Sequence, residues 1–276
     1  MNISRLLKTA VIICGLVIFA TFANAQPGNA NTVDCDRGDS LNDAVNRQVG
    51  HVGPITIHVT GTCTENVLIS RDDVAINGDG TVNGQITVDN ARRVTISGIT
   101  ITGPGLGVDN FGGEVHLVNV VVTANQGVAG IASNHNGFVQ IVDSTISNNA
   151  EFGILALQDS SVEIRNSEIL NHPKNGVQVN TNSHAEVEVG TVISGNSHGI
   201  HLFLHSTAYI FGAEITGNTN VGILISTDSG AFAVNDVIVS GNGIYGVHCE
   251  DTESSFAGDP IADPLNCTGF NQVASP

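Results

Sequence analysis

Two glutamates in this chain are spaced so that they could act together on a sugar. Glu163 and Glu186 are separated by the same interval at which a repeat recurs through the chain, and Arg165 follows Glu163 by two positions. If the chain folds into coils of that length, the two carboxylates stand in neighbouring coils, about 4.8 Å apart at the backbone. Retaining glycosidases hold their two carboxyl groups about 5–5.5 Å apart. The spacing therefore makes Glu163, Glu186 and Arg165 a candidate catalytic set.

Aromatic residues continue the column that contains the two glutamates. Tyr209 lies one repeat interval after Glu186, and Phe232 lies one further interval on. Glu188 and Phe211 occupy the next outward column, two positions later. Flat rings pack against the faces of sugars, and carboxylates accept hydrogen bonds from sugar hydroxyls. The pattern predicts a glycan-binding surface formed by Glu188, Tyr209, Phe211 and Phe232.

A structural interpretation of the same residues needs no ligand. Arg165 would neutralise Glu163 and Glu188 at the surface, while residues 251–276 or a second subunit cover the aromatic rings. Solvent access to those rings separates the two interpretations, because an exposed cluster of apolar side chains marks a binding surface.

A repeat of about 23 residues sets these positions, and this period falls within the range of about 20 to 50 residues that is typical of solenoids. In a solenoid each unit buries its apolar face only against its neighbours. Eight glycines recur at the repeat interval, and only the last interval is one position longer: Gly84, Gly107, Gly130, Gly153, Gly176, Gly199, Gly222 and Gly246. The chain is therefore predicted to be a single domain of about eight stacked coils.

Apolar residues within each repeat alternate in the way that predicts short β-strands. One strand has inward positions just after the glycine, as at Ile154 and Ala156. A second strand follows, as at Val162 and Ile164, and Ile169 marks a third. Gly, Asn, Asp and Ser join the strands, without segments long enough for helices. An all-β fold of parallel strands, stacked coil upon coil, is predicted.

Asparagines form a further column at one turn of the repeat. Three share an alignment position and three more are displaced from it by one or two positions: Asn125, Asn148 and Asn171, then Asn196, Asn218 and Asn242. Short polar side chains at a bend bond the backbone, and one another when stacked about 4.8 Å apart. We predict a structural role for this column.

The N-terminal region has features outside the repeat. Residues 1–25 show the basic start, apolar run and small-residue end of a secretory signal peptide, with an uncleaved anchor as the alternative. Residues 39–46 combine a capping residue with helical apolar spacing, which predicts a short helix covering the open edge of the first coil.

Four cysteines remain once residues 1–25 are removed. We predict local pairs, Cys35 with Cys63 and Cys249 with Cys267, because both ends of a solenoid need securing. Free thiols are the alternative, and a zinc site is disfavoured because no CxxC spacing occurs. The signal peptide and the disulfides together predict a secreted or periplasmic protein.

The charge balance limits the possible partners. The formal net charge is −17, with nine Lys and Arg against 26 Asp and Glu. Such a surface lacks cations that neutralise phosphate, so nucleic acid and anionic membranes are not predicted partners. No cofactor is predicted, and no metal site, because His201 and His248 would lie about 9.6 Å apart. A polysaccharide or cell-surface glycan, neutral rather than polyanionic, is the predicted partner.

The repeats, such as VDNARRVTISGITITG at residues 88–103, resemble those of right-handed parallel β-helix proteins of the pectin-lyase-like superfamily. The resemblance covers about residues 54–250, between an N-terminal segment and cap at 26–53 and a C-terminal cap or tail at 251–276. It implies a single-stranded right-handed parallel β-helix. It also implies a secreted protein that cleaves, epimerises or binds polysaccharides, or serves as an adhesin or surface scaffold.

The catalytic motifs of that superfamily are not recognisable in this chain. The calcium-binding aspartates and paired arginines of pectate lyases and the Asp-Pro-His-Asp motif of alginate epimerases are missing. Our leading hypothesis is a secreted protein that binds a glycan without catalysis. A rigid surface or adhesion scaffold is one alternative, and a polysaccharide lyase or glycoside hydrolase with an unrecognised site is the other.

Overall fold

A computed structural model describes residues 32–47, 53–258, 261–267 and 271–272 of the 276-residue chain. Over these residues the chain forms a parallel β-solenoid of about ten turns, which confirms the predicted all-β fold. Each complete turn contributes one strand to each of three sheets, which have twelve, ten and nine strands. The predicted signal peptide lies outside the described residues.

The three sheets are built from short parallel strands. The twelve-stranded sheet contains Thr32–Asp34, Ile55–Thr60, Val74–Gly78, Val94–Ser97, Glu114–Val118, Phe138–Val142, Ser161–Arg165, His184–Val187, Thr207–Phe211, Gly230–Val234, Ser255–Gly258 and Asn271–Gln272. The ten-stranded sheet contains Val67–Ile69, Ile86–Asp89, Val108–Phe111, Ala129–Asn134, Phe152–Leu157, Asn175–Asn180, His198–Phe203, Val221–Ile225, Tyr245–Cys249 and Leu265–Asn266. The nine-stranded sheet contains Thr62–Cys63, Thr81–Asn83, Thr100–Thr102, Val121–Thr123, Thr145–Ser147, Glu168–Leu170, Val192–Ser194, Glu214–Thr216 and Ile238–Ser240.

The strand register confirms the sequence repeat in the middle of the chain. Val162 pairs with Ala185, which occupies the equivalent position of the next coil. The first coil is shorter, because Ile55 pairs with Val74, and these two residues are closer in sequence than Val162 and Ala185. The early coils do not keep the spacing of the glycine column. The sequence alignment therefore finds about eight coils where the structure has about ten.

The predicted inward residues form one continuous apolar core between the three sheets. In the coil that begins at Gly153, the side chains of Ile154, Val162, Ile164 and Ile169 are fully buried. The equivalent positions of the other coils are also apolar, so each coil packs against those on either side. Full burial of one such side chain contributes about 1.5–3 kcal/mol, which makes this core the main source of stability.

The repeated glycine is required by the space available at its position. A Cβ atom at Gly176 would lie 2.8 Å from Asn196 Nδ2 and 2.8 Å from the carbonyl oxygen of Gly199. Gly199 is in the same position relative to the next coil, where the carbonyl oxygen of Gly222 would be 2.6 Å away. Any larger residue pushes neighbouring coils apart, and this accounts for the glycine column in the sequence.

A ladder of buried polar side chains runs beside the glycine column. Its members are Asn125, Asn149, His172, Asn196, Asn218 and Asn242. Both the backbone N and the Nδ2 of Asn196 donate to Asn218 Oδ1, at 3.1 Å each. The sequence alignment assigns two members wrongly. Asn148 and Asn171 have left-handed φ angles of 54° and 60° at the turn, and the residues that follow them carry the ladder.

The predicted N-terminal helix covers the first coil. It spans Leu41–Asn46, follows a 3₁₀ turn at Cys35–Arg37, and buries Leu41 in the core. Glu65 in the first coil accepts a hydrogen bond from the backbone N of Leu41, at 2.7 Å. Asn42 Oδ1 accepts from the backbone N of Leu68 at 3.0 Å, on the edge strand of the ten-stranded sheet. The helix thus satisfies an exposed strand edge.

Both predicted disulfides are present, with Cα–Cα distances of 5.0 Å for Cys35–Cys63 and 4.8 Å for Cys249–Cys267. The second joins the last long strand of the ten-stranded sheet to the C-terminal segment. In that segment Asp263 accepts from the backbone N of Asn242 at 2.8 Å, which closes the polar ladder. A disulfide therefore ties the chain at each end of the solenoid.

Candidate functional site

The outward face of the twelve-stranded sheet brings the predicted site residues together. Glu163 pairs with Glu186 in the strand register, Glu186 with Tyr209, and Tyr209 with Phe232. Strand neighbours in a sheet are about 4.8 Å apart, so the four side chains form one row across neighbouring coils. Phe211 lies on the same face of its strand as Tyr209, because side chains alternate along a strand. The sequence column is thus a column in space.

Polar side chains form a hydrogen-bonded row that leads up to the two glutamates. Glu114 Oε1 lies 3.2 Å from His116 Nε2, and His116 Nδ1 lies 3.0 Å from Gln140 Oε1. Gln140 Nε2 donates to Glu163 Oε2 at 2.9 Å. We call Glu114, His116, Gln140 and Glu163 the polar row. It fixes the orientation of Glu163 and leaves the second carboxylate oxygen without a partner among the described residues.

Three rings, Tyr209, Phe211 and Phe232, continue the polar row as an aromatic patch. The ring of Tyr209 is stacked with that of Phe211 at a centroid distance of 6.3 Å, and meets Phe232 edge to face at 6.2 Å. His184 meets the other side of Tyr209 edge to face at 5.2 Å. Tyr209 is 46% exposed, while Phe211 and Phe232 are half-buried. Solvent therefore reaches the aromatic patch.

The interpretation in which the C-terminal segment covers these rings is wrong for the part of that segment that the structure describes. Ser255–Gly258 pairs in parallel with Gly230–Val234 and extends the sheet sideways, in plane with the strand that carries Phe232. Residues 261–267 instead close the end of the ten-stranded sheet. None of the described residues of the C-terminal segment covers the aromatic patch.

The predicted neutralisation by Arg165 is also wrong. Arg165 pairs through its backbone with Val142 and is exposed. In the described part of the chain, no ion pair joins Arg165 to Glu163 or to Glu188. Glu186 instead lies 3.5 Å from the imidazole Nε2 of His184. Glu188 has no side-chain partner among the described residues, so its carboxylate is available to a ligand.

Two cavities flank the aromatic patch. One, of about 190 Å³, lies between Tyr209 and Phe232 and extends to Ser255. The other, of about 360 Å³, lies beside Phe211 at the corner where the chain leaves the sheet. We call this second cavity the corner cavity; its lining is Glu188, Val189, Phe211, Gly212 and Asn235. The patch thus has concave surfaces on both sides, as a ligand site requires.

Sequence reasoning missed three residues of this site. His184 lies two positions before Glu186, so the alternation of a strand places both on the outward face. That signal was available in the sequence. Val189 and Asn235 lie in turns after their strands, where no alternation applies, and the fold of these turns brings them beside Phe211.

A second polar cluster lies on the outward face of the ten-stranded sheet. His198, His201, Asn175 and Gln178 line a cavity of about 360 Å³ together with Phe152. The His201 Nδ1 atom lies 3.1 Å from Gln178 Oε1, and Gln178 is buried. Burial lowers the pKa of His201 to about 4 and also lowers the pKa of His198. Both imidazoles are neutral at pH 7, which the sequence did not indicate.

Potential metal ligands meet in two places in the part of the chain that the structure describes. Cys35, Cys63 and Glu65 form one group, but the two sulfur atoms are joined in a disulfide. Asp228, Asp251 and Glu253 form the other. Asp251 already caps a turn by accepting from the backbone N of Ser254 at 2.7 Å. Neither group includes a residue of the outward face described above.

The solenoid and its stacked columns agree with a sequence-family match. Residues 84–244 match the family described as the right handed beta helix region. The chain therefore belongs to the right-handed β-helix family, and its fold is pectin-lyase-like. No helix in the described residues is long and apolar enough to cross a bilayer.

Solved structures share this fold at low sequence identity. A variant of the periplasmic alginate epimerase AlgG is 13% identical, with a TM-score of 0.54 over 88% of this chain and 84% of that one. The A-module of mannuronan C-5 epimerase AlgE6 from Azotobacter vinelandii is 13% identical, with a TM-score of 0.57 over 88% and 99%. The enzymatically active domain of bacteriophage CBA120 tailspike protein 2 is 12% identical, with a TM-score of 0.59 over 90% and 46%. No curated protein matches the sequence.

Proposed function

We propose that this protein binds a neutral glycan on the outward face of the twelve-stranded sheet. The observation that carries the proposal is the solvent-exposed aromatic patch, in which Tyr209 is 46% exposed and supported by Phe211 and Phe232. Structures of the same fold include two named as alginate epimerases and one as a tailspike, which agrees with an association with carbohydrate.

The charges on this face favour a neutral ligand. Glu163, Glu186 and Glu188 lie beside the rings, and Arg165 is exposed next to them. The whole chain has a net charge of −17, which repels a polyanion at low ionic strength. Carboxylates accept hydrogen bonds from sugar hydroxyls, while the rings pack against the sugar faces. A neutral polysaccharide or cell-surface glycan satisfies both requirements.

We also propose that the chain is exported. The two disulfides are of the kind that persists in an oxidising compartment. Residues 1–25 carry the sequence pattern of a signal peptide. A secreted or periplasmic location would bring the aromatic patch into contact with extracellular glycans. N-terminal sequencing of the exported protein tests this, and a chain beginning before Gln26 would contradict cleavage at that point.

A pull-down on insoluble neutral polysaccharides tests the binding proposal. We expect the double variant Tyr209→Ala, Phe211→Ala to lose about tenfold in affinity, because truncation of central aromatic anchors costs about 1.4 kcal/mol or more. Phe111→Ala is the matched control, since Phe111 is 40% exposed but lies on the ten-stranded sheet. Equal binding by the double variant and the wild type would refute the assignment of the site.

A second candidate function, glycoside hydrolysis, is favoured by the pairing of Glu163 with Glu186 in the strand register. One carboxyl group would protonate the leaving oxygen while the other attacked the anomeric carbon, and water, deprotonated by the first carboxylate, would then hydrolyse the glycosyl-enzyme ester and free the second. If the wild type releases reducing ends from a polysaccharide and neither Glu163→Gln nor Glu186→Gln does so, hydrolysis is supported. No release from a panel of neutral polysaccharides leaves binding as the function.

A further inference from the structure

The corner cavity, defined above by its five lining residues, adjoins the aromatic patch through Phe211, which belongs to both. Its volume of about 360 Å³ is at the lower end of the range for small-molecule sites, about 300–1,000 Å³. A glycan that packs on Tyr209 and Phe211 therefore places one of its substituents at the mouth of this cavity.

One wall of the corner cavity is apolar and exposed. Val189 is 64% exposed, the highest value for a large hydrophobic residue among the described residues. Gly212 adopts a left-handed φ of 57°, and a Cβ atom there would lie 3.5 Å from the Val189 side chain. The missing side chain leaves room between Val189 and Phe211. This wall suits a small apolar group such as a methyl.

The polar groups of the corner cavity are free. Neither the carboxylate of Glu188 nor the side-chain amide of Asn235 has a hydrogen-bond or ion-pair partner in the described part of the chain. Glu188 offers an acceptor, and Asn235 offers a donor through Nδ2. The cavity thus combines an apolar wall, one charged acceptor and one amide donor.

An acetamido group has the complementary chemistry. Its methyl packs on Val189 and Phe211, its N–H donates to the Glu188 carboxylate, and its carbonyl oxygen accepts from Asn235 Nδ2. A hydroxyl at the same sugar position has no methyl to pack on Val189 and Phe211, and it has only one atom where the amide has a separate donor and acceptor. We propose that the corner cavity binds the acetamido group of an N-acetylhexosamine unit, which rests on the glycan-binding function proposed above.

Two tetrasaccharides with the same β-1,4-linked backbone test this inference. Chitotetraose carries an acetamido group on each unit, where cellotetraose carries a hydroxyl. By isothermal titration calorimetry, we expect the wild-type chain to bind chitotetraose about tenfold more tightly than cellotetraose, because a hydrogen bond to a charged group and methyl burial are both lost with the latter.

Two variants assign the preference to the cavity. Asn235→Asp and Val189→Ser are each expected to bring the affinity for chitotetraose close to that for cellotetraose. Val121→Ser is the matched control, because Val121 is also exposed but lies on the nine-stranded sheet. Circular dichroism and thermal melting show whether each variant is folded.

The outcomes separate the inference from the function on which it rests. If the wild type binds both sugars with equal affinity and Tyr209→Ala loses this binding, the acetamido site is refuted. The glycan-binding surface is then supported. A preference for chitotetraose that persists in both cavity variants also overturns it. Absence of binding to either sugar and to all neutral polysaccharides removes the proposed function and the inference together.

Discussion

At the scale of single residues, His172 shows how the ladder depends on protonation. Its Nδ1 atom lies 2.8 Å from Asn196 Oδ1 and therefore donates, while Nε2 lies 3.2 Å from Asn149 Nδ2 and therefore accepts. Only the neutral ring with its proton on Nδ1 makes both hydrogen bonds. Burial lowers the pKa of His172 to about 4, against the opposing effect of the hydrogen bond with Asn196.

This pKa predicts a loss of stability in mild acid. The unfolded chain has the ordinary value of 6.5 and binds a proton before the folded chain does. Stability is therefore fully retained above pH 6.5 and falls as the pH decreases towards about 4. The loss from His172 alone is about 3 kcal/mol over that window. Urea unfolding at about pH 7.5 and about pH 4.5 measures it.

The matched variant is His172→Asn, which restores the residue type of the neighbouring coils. We expect its unfolding free energy to fall less than that of the wild type between the two pH values. Changes in overall charge act on both proteins and cancel in the comparison. His201→Gln is expected to reduce the pH dependence by a similar amount, because burial also lowers the pKa of His201 to about 4. An unchanged pH dependence in His172→Asn would contradict the account.

Single residues were predictable where strand alternation applies. Glu163, Glu186, Tyr209 and Phe232 follow the repeat interval of the glycines, so their alignment alone predicts the column found in the strand register. The corner cavity was not predictable in this way. Val189, Gly212 and Asn235 come from turns, and turn geometry depends on contacts that a one-dimensional repeat does not encode.

At the scale of elements, each coil is held by three short strands and by the glycine that lets the next coil approach. The predicted strands are those observed, because inward Val and Ile residues alternate with polar ones in every coil. The early coils were harder to find. Their turns are shorter, so Ile55 and its partner Val74 are closer in sequence than the paired residues of later coils. The ladder was misassigned at Asn148, because a left-handed turn residue precedes the buried one.

The glycine column predicts a specific sensitivity to small substitutions. Gly176→Ala places a methyl group 2.8 Å from Asn196 Nδ2 and from the carbonyl oxygen of Gly199, so coil and ladder must both shift. We expect a loss of about 1–3 kcal/mol in the free energy of unfolding. Urea denaturation checks this value.

Gly105→Ala is the control for that substitution. The nearest atom to an added Cβ at Gly105 is Gln85 Oε1 at 3.0 Å, the end of a flexible side chain that can move away. We expect little change in stability. If Gly105→Ala and Gly176→Ala were equally destabilised, the close approach of coils would not be the reason for the glycine column.

At the scale of the whole molecule, the solenoid turns sequence columns into surfaces. The outward face of the twelve-stranded sheet has the polar row and the aromatic patch on either side of the coil that carries Glu186, and the chain as a whole has a net charge of −17. The fold alone does not choose a function, since one fold hosts many activities. The proposed function depends on an exposed ring cluster beside Glu188, whose carboxylate has no partner among the described residues.

The tyrosine content of the chain allows a direct test of that choice. The chain has no Trp and two Tyr, Tyr209 and Tyr245, so Tyr245→Phe leaves Tyr209 as the only strong fluorophore. The ring of Tyr245 is stacked on His248 at 4.9 Å, and Phe retains that contact. Titration of this variant with chitotetraose or cellotetraose, with acrylamide as quencher, then reports on the aromatic patch alone. We predict a saturable change in Tyr209 fluorescence and protection from the quencher. A sugar that binds by calorimetry but leaves Tyr209 fully open to acrylamide would contradict the account.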